Sequence, residues 1–163
     1  MIKIRSSNKE TDADAAWAII EPVIETGDTY TFAPGTSREQ MIDWWFAAGH
    51  FCYAAEDENG EIPGIFWLRA NQPGLGDHVG NAAYMVSPSA HGKGIGRKMG
   101  EYSLGEARRL GFTSLQFNFV VASNTAAVRL WQSIGMEIIG TIPKAFRHKH
   151  LGPTDAYIMY RDL

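Results

Sequence analysis

The sequence predicts one domain of mixed α/β (α+β) class, in which helices cover a twisted sheet. Three observations lead to this prediction: apolar runs of strand length alternate with segments of helical periodicity, a strand leads through a glycine-rich turn into a helix between Ala82 and Leu110, and two strands end the pattern. A chain of 163 residues buries about 70% of its surface on folding, which is enough for one core. We therefore expect residues 1–163 to form a single domain.

The N-terminal segment predicts a short strand followed by a helix. Ile2–Arg5 has the length and pattern of a strand. Thr11 with Asp14 resembles a capping box that opens a helix, and Gly27 closes it. Pro22 lies inside this segment and is expected to kink or break the helix, because proline donates no backbone hydrogen bond.

A second helix and a hairpin follow. Ser37 with Gln40 forms a capping box that leads into an aromatic-rich helix. Phe51–Glu56 and Ile62–Ala70 are apolar runs typical of strands, and the Asn59-Gly60 pair between them favours a hairpin turn.

The remaining elements alternate. Ala82–Val86 is a short strand, Gly96–Leu110 has near-helical spacing of its apolar residues, and Leu115–Val121 is a further strand. Asn124–Ile134 reads as a helix that Gly135 ends. The last strands are predicted at Glu137–Ile142 and Ala156–Tyr160.

Composition excludes several classes of partner. The formal charge of -3 argues against a nucleic-acid or acidic-lipid surface. The longest uncharged stretch, Leu110–Val128, is interrupted by too many polar residues to cross a membrane. Cys52 is the only cysteine, and Met1–Glu10 lacks the apolar segment of a secretory signal, so we expect a cytoplasmic protein.

The segment His91–Gly96 is a candidate anion site. Its glycines at positions 92, 94 and 96 lie between a strand and a helix, where unpaired backbone N–H groups and the helix dipole attract phosphate. Lys93 and Arg97 add positive charge. The alternative is a tight connection that binds no ligand.

Two common phosphate-binding motifs do not fit this segment. A P-loop requires Ser or Thr after the Gly-Lys pair, but Lys93 is followed by Gly94. A dinucleotide-binding fingerprint requires a third glycine where Arg97 or Met99 stands, and an acid about 20 residues further on, where Gln116 and Asn118 occur instead. The sequence therefore favours neither nucleotide hydrolysis nor nicotinamide chemistry.

The run Ala83–Gly96 and the helix after it resemble the acetyl-CoA-binding motif of the GCN5-related N-acetyltransferases, the GNAT superfamily. The family's loop reads Gln/Arg-x-x-Gly-x-Gly/Ala, and here His91 replaces the opening residue. Asn124-x-Ala-Ala-x-x-Leu-Trp-x-x-x-Gly-Met, over residues 124–136, is similar to the family's second motif. The resemblance covers at least Asn81–Met136.

This resemblance implies an acetyl-CoA-dependent N-acetyltransferase (an acyltransferase of EC 2.3.1 type). It implies a GNAT fold, a mixed twisted sheet of about six to seven strands flanked by about four helices, with strands 4 and 5 splayed apart to admit acetyl-CoA. The cofactor-binding residues that it implies are Met85, Val86, His91, Gly92, Lys93, Gly94, Ile95, Gly96, Arg97 and Asn124.

Two residues that many relatives use for proton transfer are missing. Trp131 stands where many have a tyrosine that protonates the departing sulfur, and an indole N–H is not a useful acid. Asn81–Tyr84 contains no carboxylate to serve as general base. Thiolate leaves without help and an α-amine is partly neutral at pH 7, so we expect direct attack by a positioned amine.

Three asparagines are the candidates for that positioning. Strand alternation places Asn118 on the face opposite its neighbouring phenylalanines, where a buried amide needs a polar partner. A solvated face is the alternative for Asn118, and a plain helix N-cap is the alternative for Asn124. The pattern resembles fungal enzymes that detoxify proline analogues, in which asparagines matching Asn81, Asn118 and Asn124 hold the substrate and replace the catalytic pair.

The loop Thr29–Phe32 resembles that of phosphinothricin-type acetyltransferases and implies that Tyr30 and Phe32 contact the substrate. A packed aromatic loop is the alternative. Basic residues and histidines between 144 and 150 could meet a ribose phosphate or a substrate carboxylate, although a solvated loop is favoured.

The histidines show no metal-ligand spacing, so we expect no metal, and no Gly-x-Ser-x-Gly motif indicates a hydrolase. An exposed part of the Trp44–Phe46 helix could support a homodimer, although core packing is favoured.

The sequence is thus interpreted as a cytoplasmic N-acetyltransferase that acts on a small-molecule amine, a free amino acid or an analogue, in a detoxification role. The alternatives are a protein N-terminal or lysine acetyltransferase, and a catalytically idle acyl-CoA-binding module.

Overall fold

The computed structural model describes residues 1–163, which form seven strands and four helices in the predicted alternation. The strands are β1 (Lys3–Ser6), β2 (Phe51–Glu56), β3 (Gly64–Ala70), β4 (Val79–Val86), β5 (Ser114–Val121), β6 (Glu137–His148) and β7 (Gly152–Asp162). The helices are α1 (Lys9–Glu25), α2 (Arg38–Trp45), α3 (Ile95–Arg109) and α4 (Thr125–Ser133).

The strands form one mixed sheet in the order β1-β2-β3-β4-β5-β7-β6. Only β4 and β5 are parallel, and their pairing is limited to Val79 with Ser114 and Gly80 with Leu115. Beyond Gly80 the two strands have no backbone pairing with each other, so a cleft opens between them towards their C-terminal ends. This agrees with the predicted splay of strands 4 and 5.

The helices cover both faces of the sheet. One core, which includes Phe66, Met99 and Leu115, lies between the sheet and the helices α3 and α4. A second core, which includes Ile20, Trp45 and Trp67, lies between the opposite face and the helices α1 and α2. Trp45 is fully buried, which agrees with the core-packing interpretation of the aromatic helix α2.

Helix α1 differs from its prediction at two points. Its N-cap is Asn8, whose side chain accepts a hydrogen bond from the Thr11 N–H at 3.0 Å, so the helix begins before the predicted Thr11 box. It also continues through Pro22 to Glu25 without a break. Burial of its apolar face against α2 and the sheet offsets the one backbone hydrogen bond that proline cannot make.

The last two strands are longer than predicted and form a long hairpin. The sequence pattern ended β6 before Pro143, but β6 lies at the edge of the sheet, where a proline needs no donor for a neighbouring strand. The register shifts between Ile142 and Phe146, and Lys144 adopts a positive φ of 52° there. The Lys144 N–H then donates to the Asp155 carboxylate at 2.8 Å, which satisfies the irregular backbone.

An ion pair joins β1 to the start of α1. The Arg5 guanidinium donates two hydrogen bonds to the buried carboxylate of Asp12, at 2.9 and 3.0 Å, and these hold the pKa of Asp12 below its ordinary value. Replacing Asp12 with asparagine should lower the free energy of unfolding at pH 7 by roughly 2 kcal/mol, because Arg5 loses the buried one of its two carboxylate partners and keeps only Glu56. Urea unfolding measures this.

The same pair predicts a pH dependence. The pKa of Asp12 is lower in the folded protein than in the unfolded chain. Its contribution to the free energy of unfolding is therefore complete above the unfolded-state pKa of about 3.9, and it disappears as the pH falls through the folded-state pKa. The difference in the free energy of unfolding between wild type and Asp12→Asn should therefore become smaller at acidic pH. Asp14→Asn is the matched control, since the Asp14 side chain is 97% exposed. An equal loss of stability in Asp12→Asn and Asp14→Asn would contradict the stabilising role of the Arg5–Asp12 pair.

Candidate active site

Two cavities open in the cleft between β4 and β5. The first, here called the inner cavity, has a volume of about 330 Å³ and is lined by Tyr30, Phe32, Asn81, Asn118 and Asn124, the whole predicted set of substrate-contacting residues. The second, the glycine-loop cavity, has a volume of about 710 Å³. Its lining contains all predicted cofactor-binding residues except Lys93, namely Met85, Val86, His91, Gly92, Gly94, Ile95, Gly96, Arg97 and Asn124.

The two cavities share a wall. Six residues line both of them: Thr29, Tyr30, Tyr84, Asn124, Ala127 and Trp131. The rings of Tyr84 and Trp131 contact each other with centroids 4.6 Å apart, so strand β4 and helix α4 meet at this point. Ligands in the two cavities would therefore meet beside this shared wall.

The open edge of β4 offers backbone groups to the cleft. The Ser87 N–H bonds the Pro63 carbonyl, and Met85 pairs with Ile65, so the odd-numbered residues of β4 bond β3. Neighbouring residues of an antiparallel strand alternate in direction, which turns the N–H groups of Tyr84 and Val86 towards the cleft. The resemblance had implied backbone contacts at Met85 and Val86; the register leaves the amides of Tyr84 and Val86 open.

The carbonyls on the same edge are already occupied. The Tyr30 hydroxyl donates to the Tyr84 carbonyl at 2.6 Å. The His91 ring contacts the Val86 carbonyl through Nε2 at 3.2 Å. His91, which departs from the family motif, thus fixes the glycine loop to the end of β4. The groups of this edge that remain free are therefore N–H donors, which can bind an acyl carbonyl or an amide oxygen of a ligand.

The glycine loop has the geometry of an anion site. Gly92 and Gly94 have positive φ angles of 75° and 76°, and a side chain added at either position would meet nothing within 4 Å. Gly94 caps α3 without any side-chain hydrogen bond, and the first turn of the helix carries no acid. The first intrahelical bond runs from the Lys98 N–H to the Gly94 carbonyl, so the amides of residues 95–97 have no acceptor within the helix.

Gly96 has a different role from the other two glycines. Its φ is ordinary, and an added Cβ would lie 3.1 Å from the Leu130 side chain. The absence of a side chain at Gly96 therefore lets α3 pack closely against α4. The sequence alone did not distinguish this packing role from close approach to phosphate.

Asn118 is held by two side chains. Its amide nitrogen donates to the Asn71 side-chain oxygen at 2.6 Å, and its own oxygen accepts from Gln116 Nε2 at 3.0 Å. Asn118 lies where β5 changes register between Phe117 and Val120, and this bulge interrupts the strand opposite the open edge of β4. The Asn118 amide thus has side-chain partners within the protein, and these hold it in one orientation at the cavity wall.

Asn81 and Asn124 complete the set. Asn81 is 7% exposed, and its side-chain oxygen accepts from the Ala82 N–H at 2.8 Å. Asn124 is the N-cap of α4, since its side-chain oxygen accepts from the Ala127 N–H at 3.3 Å. The N-cap alternative for Asn124 is therefore present, and the same residue also lines both cavities.

The loop Thr29–Phe32 forms one side of the inner cavity. The Phe32 ring packs edge-on against Trp44, with centroids 4.6 Å apart, and Tyr30 is held through its hydroxyl by β4. The loop is thus both packed and part of the cavity lining, which combines the two alternatives that its sequence left open.

The inner cavity contains no ready proton carrier. Its lining includes no Asp, Glu or His. Burial raises the pKa of Tyr30 and of Tyr84, so both phenols stay protonated at neutral pH. Both hydroxyls are also engaged, that of Tyr30 with the Tyr84 carbonyl and that of Tyr84 with Ser103 Oγ at 2.7 Å. The arrangement can orient polar groups, and a reacting amine must already be neutral.

Arg69, Trp67 and Tyr84 also line the inner cavity, in addition to the residues predicted from the sequence. The pairing of β3 with β4 could have indicated Arg69, because the residue of β3 that lies opposite Asn81 in an antiparallel pair shares its face of the sheet. The basic residues and histidines between 144 and 150, considered for a substrate carboxylate, line neither cavity.

No helix has the length and apolar character needed to cross a bilayer.

Comparison with known proteins identifies relatives. The family model described as "Acetyltransferase (GNAT) family" matches residues 17–136. The chain is 34% identical to N-acetyltransferase aca1 of Schizosaccharomyces pombe, and the matched region covers 93% of this chain and 80% of the yeast protein. A GCN5-related N-acetyltransferase from Kribbella flavida superposes with a TM-score of 0.94 at 34% identity, over 99% of this chain and 98% of the other.

A more distant structure shares the fold. A phosphinothricin acetyltransferase from Sinorhizobium meliloti, solved in complex with acetyl-CoA, has a TM-score of 0.85 at 22% identity, over 99% of this chain and 88% of that one.

Proposed function

Because the chain belongs to the GNAT family of acetyltransferases and is an acetyl-CoA-dependent N-acetyltransferase, we propose that it acetylates the amine of a small molecule, a free amino acid or an amino-acid analogue. The observation that supports this most directly is the meeting of two cavities at Tyr84, Asn124 and Trp131. One cavity has the donors that suit a diphosphate and a pantetheine arm, and the other is small and lined by three asparagines.

The glycine-loop cavity fits acetyl-CoA. The free amides at the start of α3 suit the diphosphate, the N–H group of Val86 suits an amide oxygen of an extended arm that lies along β4, and the N–H group of Tyr84 suits the acyl oxygen. Acetyl-CoA supplies the thioester whose acetyl group is transferred and the thiolate that leaves. The residues proposed to hold it are the predicted set, with Tyr84 added for its backbone amide.

The inner cavity fits a small amine better than a peptide. Its volume of about 330 Å³ is at the lower end of the range for small-molecule sites. Loop Thr29–Phe32 and the Trp44 ring close it on the α1–α2 side. Asn81 and Asn118 are proposed to orient the amine, and Tyr30, Phe32 and Asn124 to contact the rest of the substrate.

Direct attack is the proposed mechanism. With no Asp, Glu or His in the inner cavity, the asparagines orient an amine that binds in its neutral form. The Tyr84 amide, which lies where the two cavities meet, stabilises negative charge that develops on the acyl oxygen. The new C–N bond replaces the C–S bond, and Trp131 excludes water from the junction. The leaving thiolate, whose thiol has an ordinary pKa of about 8.5, needs no proton in the same step and afterwards takes up the proton that the acylated nitrogen releases.

Release of CoA from acetyl-CoA tests the proposal. The purified protein is supplied with a panel of free amino acids that includes proline and its ring analogues, and separately with peptides that carry a free N-terminus or an internal lysine. We expect turnover with at least one amino acid and little with peptides. Turnover with peptides alone would favour the protein acetyltransferase, and acetyl-CoA binding without any turnover would favour the idle binding module.

Four further assignments belong to this proposal. We propose that residues 1–163 act as a single catalytic domain, that the protein works in the cytoplasm, that it forms a homodimer, and that it serves to detoxify amino-acid analogues. The expectation that no metal takes part stays a prediction, which turnover measured in the presence of a chelator addresses.

A further inference from the structure

Arg69 is an unpaired cation at the inner cavity. Its side chain lines the cavity, makes no hydrogen bond within the protein and has no carboxylate within ion-pair distance. Its Nε is buried without a partner. A guanidinium that is partly removed from water and left unpaired is costly, so its presence here requires an explanation.

A second unsatisfied donor lies beside Arg69. Trp67 is 3% exposed, and its indole N–H is buried with no acceptor. The Arg69 guanidinium lies over the Trp67 ring, 5.4 Å from the centroid. Both residues belong to β3 and are two positions apart, so both side chains lie on the same face of the sheet and both line the inner cavity.

The strand register brings these donors to Asn81. Arg69 is the direct partner of Asn81 in the antiparallel pair of β3 and β4, which puts their Cβ atoms about 5 Å apart on one face. The three side chains therefore form one polar end of a cavity whose other walls are largely aromatic and apolar.

No carboxylate neutralises the Arg69 charge, and its one partner is the face of the Trp67 ring. The cavity lining contains no acid. His50 is a titratable neighbour of this end of the cavity, and its ring stacks on Trp67 with centroids 4.5 Å apart. Burial is the main cause that lowers the pKa of His50, and the charge of Arg69 lowers it further, so His50 is neutral at pH 7. The cavity is left with a net positive end.

We propose that Arg69 and the Trp67 indole N–H form a carboxylate-binding subsite, so that the substrate of the inner cavity is an amine that carries its own anionic group, as a free α-amino acid does. A carboxylate matches a guanidinium in shape and supplies acceptors of the kind that the Arg69 and Trp67 donors lack. This inference rests on the proposed function and deepens it, since Arg69 selects free amino acids against uncharged amines and against lysine side chains in proteins, which have no carboxylate close to the amine.

The test compares amino acids with their carboxamides. For each substrate that wild type accepts, KM and kcat are measured for the free acid and for its primary amide, in wild type, Arg69→Gln and Arg69→Lys. We expect wild type to show a KM about 10- to 100-fold lower for the acid, Arg69→Gln to lose most of that difference, and Arg69→Lys to keep part of it. Comparing the ratios cancels the different basicity of the two amines.

Two controls separate this subsite from a general structural effect. Arg38→Gln removes an exposed arginine that lines neither cavity. Its ratio of KM for the acid to KM for the amide should equal that of wild type. Thermal melts with and without acetyl-CoA show whether the Arg69 variants fold and bind the donor. An acid-to-amide ratio that is unchanged in a folded Arg69→Gln would overturn the subsite while leaving the proposed function intact.

A binding measurement covers the case in which the proposed function fails. If wild type turns over no amino acid, the panel is titrated calorimetrically onto protein saturated with CoA. Binding of an amino acid that is lost in Arg69→Gln, but retained in Arg38→Gln, would still support the subsite. Absence of binding, or equal binding by all variants, would overturn it.

Discussion

Replacing Gly94 with valine is expected to remove the thermal stabilisation that acetyl-CoA gives to the protein. Gly94 has a φ of 76°, a left-handed conformation that a β-branched residue adopts only with strain, and it is the N-cap whose orientation aims the free amides of α3. A ligand at about 100 times its Kd stabilises a protein by about 2.7 kcal/mol, or roughly 5–10 °C for a domain of this size. The variant should lose nearly all of this shift.

Gly105→Val is the matched control for that experiment. Gly105 lies in the same helix, is exposed, and has open space where a side chain would extend. This control should melt at a temperature close to that of wild type and respond normally to acetyl-CoA. If Gly94→Val keeps the full acetyl-CoA shift, the phosphate site is misplaced and the assignment of the glycine-loop cavity fails with it.

Replacing Asn118 with alanine should lower kcat/KM for the amine by about tenfold or more and leave the KM for acetyl-CoA nearly unchanged. The Asn118 side chain lines only the inner cavity, and its loss also leaves Asn71 and Gln116 without a partner. Steady-state kinetics with each substrate varied in turn separates the two effects.

Two companion variants sharpen the result. Asn71→Ala removes the partner that holds the Asn118 amide and should reproduce part of the loss, although Asn71 lines neither cavity. Asn59→Ala, in the exposed turn between β2 and β3, should have no effect. An Asn118→Ala enzyme with wild-type rates would show that the amine is positioned elsewhere.

Local patterns predicted most of the elements that form the site. The capping signal at Asn124 depends on neighbouring residues only and agrees with the structure. The Ser37 and Gln40 box is likewise present, because its two hydrogen bonds join residues three positions apart. The strict alternation predicted for β5 does not hold around Asn118, because the register shifts between Phe117 and Val120 and Phe117, Asn118 and Phe119 all line the inner cavity.

The errors came from tertiary context. Helix α1 continues past Pro22 because one face of the helix is buried, and β6 continues past Pro143 because it lies at an edge of the sheet; neither fact is visible in the local sequence. Arg69 was missed for the same reason. Its importance depends on pairing with Asn81, twelve positions away, and on the absence of any acid among residues that come from several parts of the chain.

The hairpin of β6 and β7 bears on the order in which the site is completed during folding. At its turn, the Lys149 N–H bonds the Gly27 carbonyl at 3.0 Å, and Lys149 Nζ reaches the Glu25 carbonyl, 124 positions earlier. Contacts of such long range require closure of a large chain loop and form late. The loop that begins at Gly27 thus gains this support only after synthesis has passed Lys149, so the wall that it gives to the inner cavity is completed later than its position in the chain suggests.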